Sequence, residues 1–290
     1  MEKVMEEVAQ RIKKTVERYG YRKVVIHLPS GLMKYWEKLR DCSREVFFLS
    51  DPCFGGCDVP LHYLKALKAD AIFNIGHSKP PFLQLPSNVH FIEVQLKFEP
   101  TFIPSCTRVG IVYVIHYRDA ALRYAEQLRK MGKEVFMGGK PGFMGRYNGQ
   151  ITGCDVEAAR KVVDKVDCFV VCADGKFHAE AVAGLGKPTY NWLGEKVKAR
   201  RYPLPMLSTA EKVGIILSIK PGQFFMEIAE RLRREMEGRG KKVIVVVGDT
   251  ITGEVENYKV DLWISAACPR IAENFRGIPA SLALSYLTEK

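Results

Sequence analysis

The sequence predicts an α/β fold made of three similar small domains, each a four-stranded, mostly parallel sheet with flanking helices. Three observations carry that expectation. Of 290 residues, 47% are hydrophobic and 27% charged, ordinary proportions for a globular chain. Short β-branched apolar runs alternate with helical segments along the whole length, the pattern of parallel βαβ units with right-handed crossovers. Strands this continuously apolar are covered on both faces, and the order of elements recurs three times.

The opening stretch, MEKVMEEVAQRIKKTVERYG, interleaves Glu and Lys with apolar residues and reads as an amphipathic helix stopped at Gly20. It lacks the uninterrupted apolar segment of a secretory signal. The first strand of each copy follows a charged residue: RKVVIHLPSG (22–31), TRVGIVYVIH (107–116) and EKVGIILSIKPGQ (211–223). A second strand comes after a helix: EVFFLSD (45–51), EVFMGG (134–139) and KVIVVVGD (242–249). An Asp introduces the third every time, in ADAIFNIGHS (69–78), VDCFVVCADG (166–175) and VDLWISAACPR (260–270). A short fourth run closes each copy: HFIEVQL (90–96), PTYNWLG (188–194) and IPASLAL (278–284). Pro100 and Pro104 mark one linker at 97–106, and Pro203 and Pro205 another at 201–208. The domains are therefore expected at 1–100, 101–206 and 207–290.

The longest uncharged apolar runs, such as Val243–Val247 and Cys168–Ala173, fall far short of the ~20 residues of a membrane helix, and a cytoplasmic protein is expected. With 44 Lys+Arg against 33 Asp+Glu the net charge is +11, which favours acidic partners or simply reflects a Lys-rich surface. The densest basic stretches, 196–201 and 231–242, carry no interleaved aromatics, so nucleic acid is a weak expectation. Ser30-Gly31 after the first strand has no GxGxxG or P-loop context, which argues against nucleotide triphosphates.

Eight cysteines stand at 42, 53, 57, 106, 154, 168, 172 and 268. In open α/β sheets ligands bind beyond the carboxyl ends of strands, and that rule sorts them. Cys106 precedes a strand, at the wrong end. Cys168 and Cys172 share one strand and read as packing residues. Cys42 ends a helical segment. Cys57 (FGGCD), Cys154 (GQITGCD) and Cys268 (AACPR) remain, one carboxyl-end loop from each copy, with Cys53 four residues before Cys57. Both Gly-Cys-Asp motifs are expected to open a helix, whose N-terminus would favour the thiolate, with the Asp as cap. The wide spacing fits no zinc finger. Three thiolates from three domains would suit an iron–sulfur cluster with one iron left open, since four cysteines are usual; independent buried cysteines are the other reading.

The chain resembles the archaeal form of diphthamide synthase, the first-step enzyme of diphthamide biosynthesis (2-(3-amino-3-carboxypropyl)histidine synthase). The resemblance runs through VVIHLPSGL, FGGCD, NIGHS, GQITGCD, LSIKPGQ and AACPR. It implies three domains around a pseudo-threefold axis, with Cys57, Cys154 and Cys268 holding one [4Fe–4S] cluster and S-adenosylmethionine docking on the open iron. It further implies a 3-amino-3-carboxypropyl radical that adds to C2 of a histidine imidazole of translation elongation factor 2, a homodimer and an electron donor. Arg270, two residues after Cys268, is placed for a bidentate grip on the methionine carboxylate, or is a surface ion-pair residue. Gln223, closing LSIKPGQ, would bind the amino-acid moiety or start a helix. His77 and His116 end strands at the same edge, as weaker cosubstrate candidates or structural residues. Cys53 departs from the motif and would compete for the cluster or stand by.

Other readings remain at this level: a quinolinate-synthase-like lyase, which also has three α/β domains and a three-cysteine cluster; a non-catalytic electron-relay partner of a paralogue; and a basic RNA-associated protein.

Overall fold

The computed structural model describes residues 1–288 apart from Asn274 and Arg276. Three sheets follow one another along the chain, each built on the same plan. The first contains β1 (Lys23–His27), β2 (Glu45–Phe48), β3 (Ala71–Ile75) and β4 (Val89–Ile92), in the order β2-β1-β3-β4, all parallel. The second contains β5 (Arg108–Tyr113), β6 (Glu134–Met137), β7 (Cys168–Cys172), β8 (Thr189–Asn191) and β9 (Lys196–Val197), in the order β6-β5-β7-β8-β9. The third contains β10 (Lys212–Ser218), β11 (Lys242–Gly248), β12 (Leu262–Ser265) and β13 (Gly277–Pro279), in the order β11-β10-β12-β13. The chain divides into two compact units, residues 1–200 with the first two sheets and residues 201–290 with the third.

The recurring Asp has a physical job. Asp70 accepts the N–H groups of Arg22 and Lys23, 2.7 and 2.8 Å away, and Asp261 accepts those of Glu211 and Lys212 at 3.0 and 2.8 Å. Asp167 accepts the N–H of Arg108 at 2.9 Å and pairs with its guanidinium. Each carboxylate thus satisfies backbone donors where the first strand of its own copy begins and ties the third strand to it. These bonds hold all three carboxyl groups below the ordinary Asp value.

The central strands β3, β7 and β12 are buried throughout, as two covered faces require. Gly110 and Gly214 occupy matching positions in β5 and β10. A Cβ there would run into the ring of Phe169 or Trp263, the paired residue on the neighbouring strand. In the first sheet the same pair is Val25 and Ile72, and no large ring needs the room.

The opening helix spans Glu2–Tyr19 and ends at Gly20 in the left-handed conformation (φ 68°), burying Met5, Val8, Ala9, Ile12 and Val16 in the first core. Three expectations are corrected. The run 278–284 is a strand only to Pro279, after which Ala280–Thr288 is helical. The second sheet has a fifth strand, β9, antiparallel to β8. In the expected linkers, Phe98 and Phe102 pack on the second core, and Tyr202, Leu204 and Met206 on the third. Cys106 and Cys168 are joined in a disulfide with Cα atoms 6.3 Å apart, rather than being a linker residue and a packing residue. Cys172 is a buried thiol as expected, and burial pushes it up to about 12. No described helix is long and apolar enough to cross a membrane.

Candidate metal centre

The first cysteine loop lies past the carboxyl end of β2. Cys53 is hooked back to the sheet by its N–H, which donates to the Leu28 carbonyl at 2.8 Å. Between it and Asp58 the chain makes a tight turn. The Phe54 N–H donates to Asp58 Oδ2 at 3.0 Å, and the Asp58 N–H donates to the Gly55 carbonyl at 3.1 Å. Asn74, in β3, braces the turn from below. Its Nδ2 lies 3.2 Å from both the Asp58 carbonyl and Cys53 Sγ, and 3.4 Å from the Gly55 carbonyl. Cys57 sits at the far side of this turn, 8% exposed. No helix opens at this motif; the next one starts at His62. The Asp58 side chain folds back onto Phe54 instead of capping, so the expected helix-end activation of Cys57 is absent.

The second cysteine loop follows β6. Asp155 receives the N–H groups of Met144 at 2.8 Å and Glu157 at 3.1 Å, at the start of the one-turn helix Glu157–Arg160. Cys154 is half-buried, with its Sγ 3.3 Å from Thr152 Oγ1. Burial pushes the Cys154 thiol up, outweighing the hydroxyl contact. This reverses the expectation of a thiol lowered by a helix N-terminus.

Gln150 joins the two loops. Its Oε1 accepts from the N–H groups of Arg146 (2.8 Å) and Tyr147 (3.1 Å), and its Nε2 donates to Ser78 Oγ at 2.9 Å. Ser78 in turn abuts the first loop, because a Cβ on Gly56 would overlap its carbonyl oxygen. One buried side chain of the GQITGCD motif thus reaches the residue on which the GGCD turn rests.

His77 follows Gly76, whose left-handed backbone (φ 92°) swings the chain away from β3. Its Nδ1 lies 3.2 Å from Asn74 Oδ1 and 3.5 Å from Cys53 Sγ, and its ring meets that of His116 edge-on at 5.7 Å. Burial, reinforced by His116, His27 and His178, keeps His77 well below the ordinary histidine value. Burial also lowers His116. Both rings are therefore neutral at pH 7.

In the second unit, Cys268 lies just past β12 and is half-buried. Its carbonyl accepts Ser265 Oγ at 3.1 Å and the Ile271 N–H at 2.9 Å. Arg270 is exposed. Gln223 is 5% exposed, in the turn beyond β10, with its N–H donating to the Lys220 carbonyl at 2.8 Å. It does not start a helix; the next one begins at Met226.

Sequence reasoning passed over His27, Asn74, Ser78, Gln150 and Lys220, all buried polar residues at carboxyl-end positions. The available signal was a polar residue at or next to the end of an apolar strand run, as in KVVIH and AIFNI. A cavity of about 710 Å³ opens elsewhere in the first unit, lined by Phe98, Tyr117, Asp174 and Trp192 among others, with no cysteine in its wall.

Residues 27–273 match the family described as "Putative diphthamide synthesis protein". The chain belongs to the diphthamide synthesis family. It is 24% identical to the 2-(3-amino-3-carboxypropyl)histidine synthase of Pyrococcus horikoshii, over 90% of this chain and 82% of that protein. The protein of the same name from Methanocaldococcus jannaschii is 23% identical, over 86% of this chain and 78% of the relative. Among solved structures, Dph2 from Pyrococcus horikoshii with a 4Fe-4S cluster superposes with a TM-score of 0.81 at 20% identity, covering 97% of this chain and 90% of that one. At that identity the likeness is one of fold: the three-sheet architecture is shared.

Proposed function

We propose that this protein is a 2-(3-amino-3-carboxypropyl)histidine synthase. It transfers the 3-amino-3-carboxypropyl group of S-adenosylmethionine to C2 of a histidine imidazole on translation elongation factor 2, the first step of diphthamide biosynthesis. Cys57, Cys154 and Cys268 are the ligands of one [4Fe–4S] cluster, and the domains run 1–100, 101–206 and 207–290. One observation carries the reading: in a chain of this family, every sheet bears a cysteine thiol on a loop beyond its carboxyl edge, Cys57 (with Cys53 on the same loop), Cys154 and Cys268, where α/β sheets bind ligands.

The donor set fits the group. Thiolates are what iron–sulfur clusters take, and three leave one position for cosubstrate. When bound, the cluster supplies the electron that protein side chains cannot. The chain's own residues bind and orient. Arg270, exposed two residues after Cys268, offers a guanidinium to a carboxylate, and Gln223 offers an amide to the amino-acid moiety. The neutral rings of His77 and His116 put no positive charge beside a sulfonium. The protein is read as a cytoplasmic homodimer served by an external electron donor.

The test is iron and sulfide per chain after anaerobic reconstitution, followed by analysis of products formed from S-adenosylmethionine. Wild type should hold about four irons, Cys57→Ala, Cys154→Ala and Cys268→Ala should lose them, and the loaded protein should release methylthioadenosine. An iron-free wild type, or a Cys57→Ala protein that keeps its iron, sinks the reading.

A further inference from the structure

Cys53 has no part in the proposed cluster, yet it lies in a chemically distinctive group. Its Sγ, a ring nitrogen of His27 and a carboxylate oxygen of Asp58 all lie within 4.8 Å of one another. His27 and Asp58 are fully buried and Cys53 is 3% exposed. Thiolate, imidazole and carboxylate are the three donor types that zinc accepts. Bond lengths of about 2.3 Å to sulfur and about 2.0–2.2 Å to nitrogen and oxygen set tetrahedral ligand atoms roughly 3.5 Å apart. A shift of about an ångström therefore closes this group on one ion.

The surroundings match those of metal ligands, which are held by outer hydrogen bonds. Asn74 Nδ2 lies 3.2 Å from Cys53 Sγ, and the Phe54 N–H holds Asp58 Oδ2 at 3.0 Å. The backbone of Cys53 is fixed to Leu28, one residue past His27. His27 closes β1, where it pairs with Asn74 of β3, so two ligands and one supporting amide stand on or against the sheet itself. Two histidines would be commoner than this mixed set in a zinc enzyme, but three protein ligands with one open position is the usual catalytic count.

We propose that His27, Cys53 and Asp58 bind a single divalent transition-metal ion of the zinc class, separate from the iron–sulfur cluster. Binding takes the proton of the Cys53 thiol, which passes to solvent. The fourth position holds water or a ligand oxygen. Because Asp58 is the neighbour of Cys57, the ion also stiffens the turn that carries Cys57.

The probe is cobalt(II), titrated into the chain with Cys57, Cys154 and Cys268 all replaced by alanine, which removes the proposed cluster ligands. One equivalent should bind and give a thiolate-to-cobalt charge-transfer band. Adding Cys53→Ser should abolish the band, and His27→Gln or Asp58→Asn should weaken binding. Asn74→Ala, an outer-shell change, should weaken it about 10–100-fold. No band, or an equal band with Cys53→Ser, overturns the proposal. If the triple variant fails to fold, zinc per chain in cluster-loaded wild type decides: about one equivalent, lost in Cys53→Ser while iron stays, supports the site, and no zinc above background refutes it. Iron and zinc are counted separately, so failure of this site and failure of the cluster reading give different results.

Discussion

Replacing Gln150 by alanine should loosen both cysteine loops of the first unit at once. The side chain is 3% exposed and makes three hydrogen bonds, two accepted from the Arg146 and Tyr147 N–H groups and one donated to Ser78. At about 1 kcal/mol net per bond, and more where a buried donor is stranded, the expected loss is about 3–4 kcal/mol. Ser78→Ala removes one of the three and should cost about 1 kcal/mol. A double-mutant cycle between them should return a coupling of about 1 kcal/mol. Urea unfolding followed by tryptophan fluorescence reads these values; Trp192 is buried in the same core. The second readout is iron retained after reconstitution. Leu128→Ala, a core truncation elsewhere in that unit, should cost about 2–5 kcal/mol yet keep its iron, whereas Gln150→Ala should lose iron. A cost below about 0.5 kcal/mol, the scale of an ordinary surface change, would refute the clasp. Equal iron in the two variants would refute its link to the cysteine loops.

Three further outcomes are expected. Thiol titration of the iron-free chain in denaturant should find six groups before reduction and eight after, because Cys106 and Cys168 are paired; closing 62 residues, that bridge should contribute about 4 kcal/mol by the loop-entropy relation, and eight thiols without reductant would exclude it. Asp70, Asp167 and Asp261 have folded values below their unfolded ones, so the unfolded chain takes up protons first; their contribution is present above about pH 4 and is lost as pH falls through the folded values. An acid-unfolding profile should therefore flatten when the three are changed to Asn, and an unchanged profile would deny them that role. Gly56→Ala, whose Cβ would overlap the Ser78 carbonyl, should cost about 1–3 kcal/mol and lower iron content, as read by melting temperature and metal analysis.

What could be read from the sequence and what could not divide along a physical line. The central strands were legible because burial on both faces forces an unbroken apolar run, a local signal. The repeated Asp was legible as a mark, and its meaning is local to one copy: it bonds the first strand of its own sheet. The carboxyl-edge rule then reduced eight cysteines to Cys53, Cys57, Cys154 and Cys268 without any knowledge of packing. The misses are relations between distant residues. Gln150 and Ser78 stand 72 positions apart, and nothing in either segment announces the other. Cys106 and Cys168 are 62 apart, and the strand rule alone assigned both to bland roles. The motif Gly-Cys-Asp looked like one device used twice, but its Asp side chain closes a turn on Phe54 in one copy and receives the Glu157 N–H in the other. The same three residues thus serve different local folds, because the chain after Asp58 runs into Pro60 while the chain after Asp155 continues EAAR.

The buried polar residues show where a better rule would lie. His27 and Asn74 are paired across β1 and β3 in the last register step that those strands share. Ser218 ends β10 and Ser265 ends β12, and both are buried. Three apolar strands finish on a group that can hydrogen-bond or ligate, and Asn74 stands one residue before the end of β3, at the edge where α/β sheets meet their ligands. Burying such a group has a cost unless something there satisfies it, so a polar residue at the last step of an apolar run points to chemistry beyond the sheet. Applied to this chain, the rule selects His27 directly and, through the loop that follows β2, brings in Cys53 and Asp58. The ligand atoms of His27, Cys53 and Asp58 lie within 4.8 Å of one another, a group reached here from the strand pattern rather than from the cysteine motif.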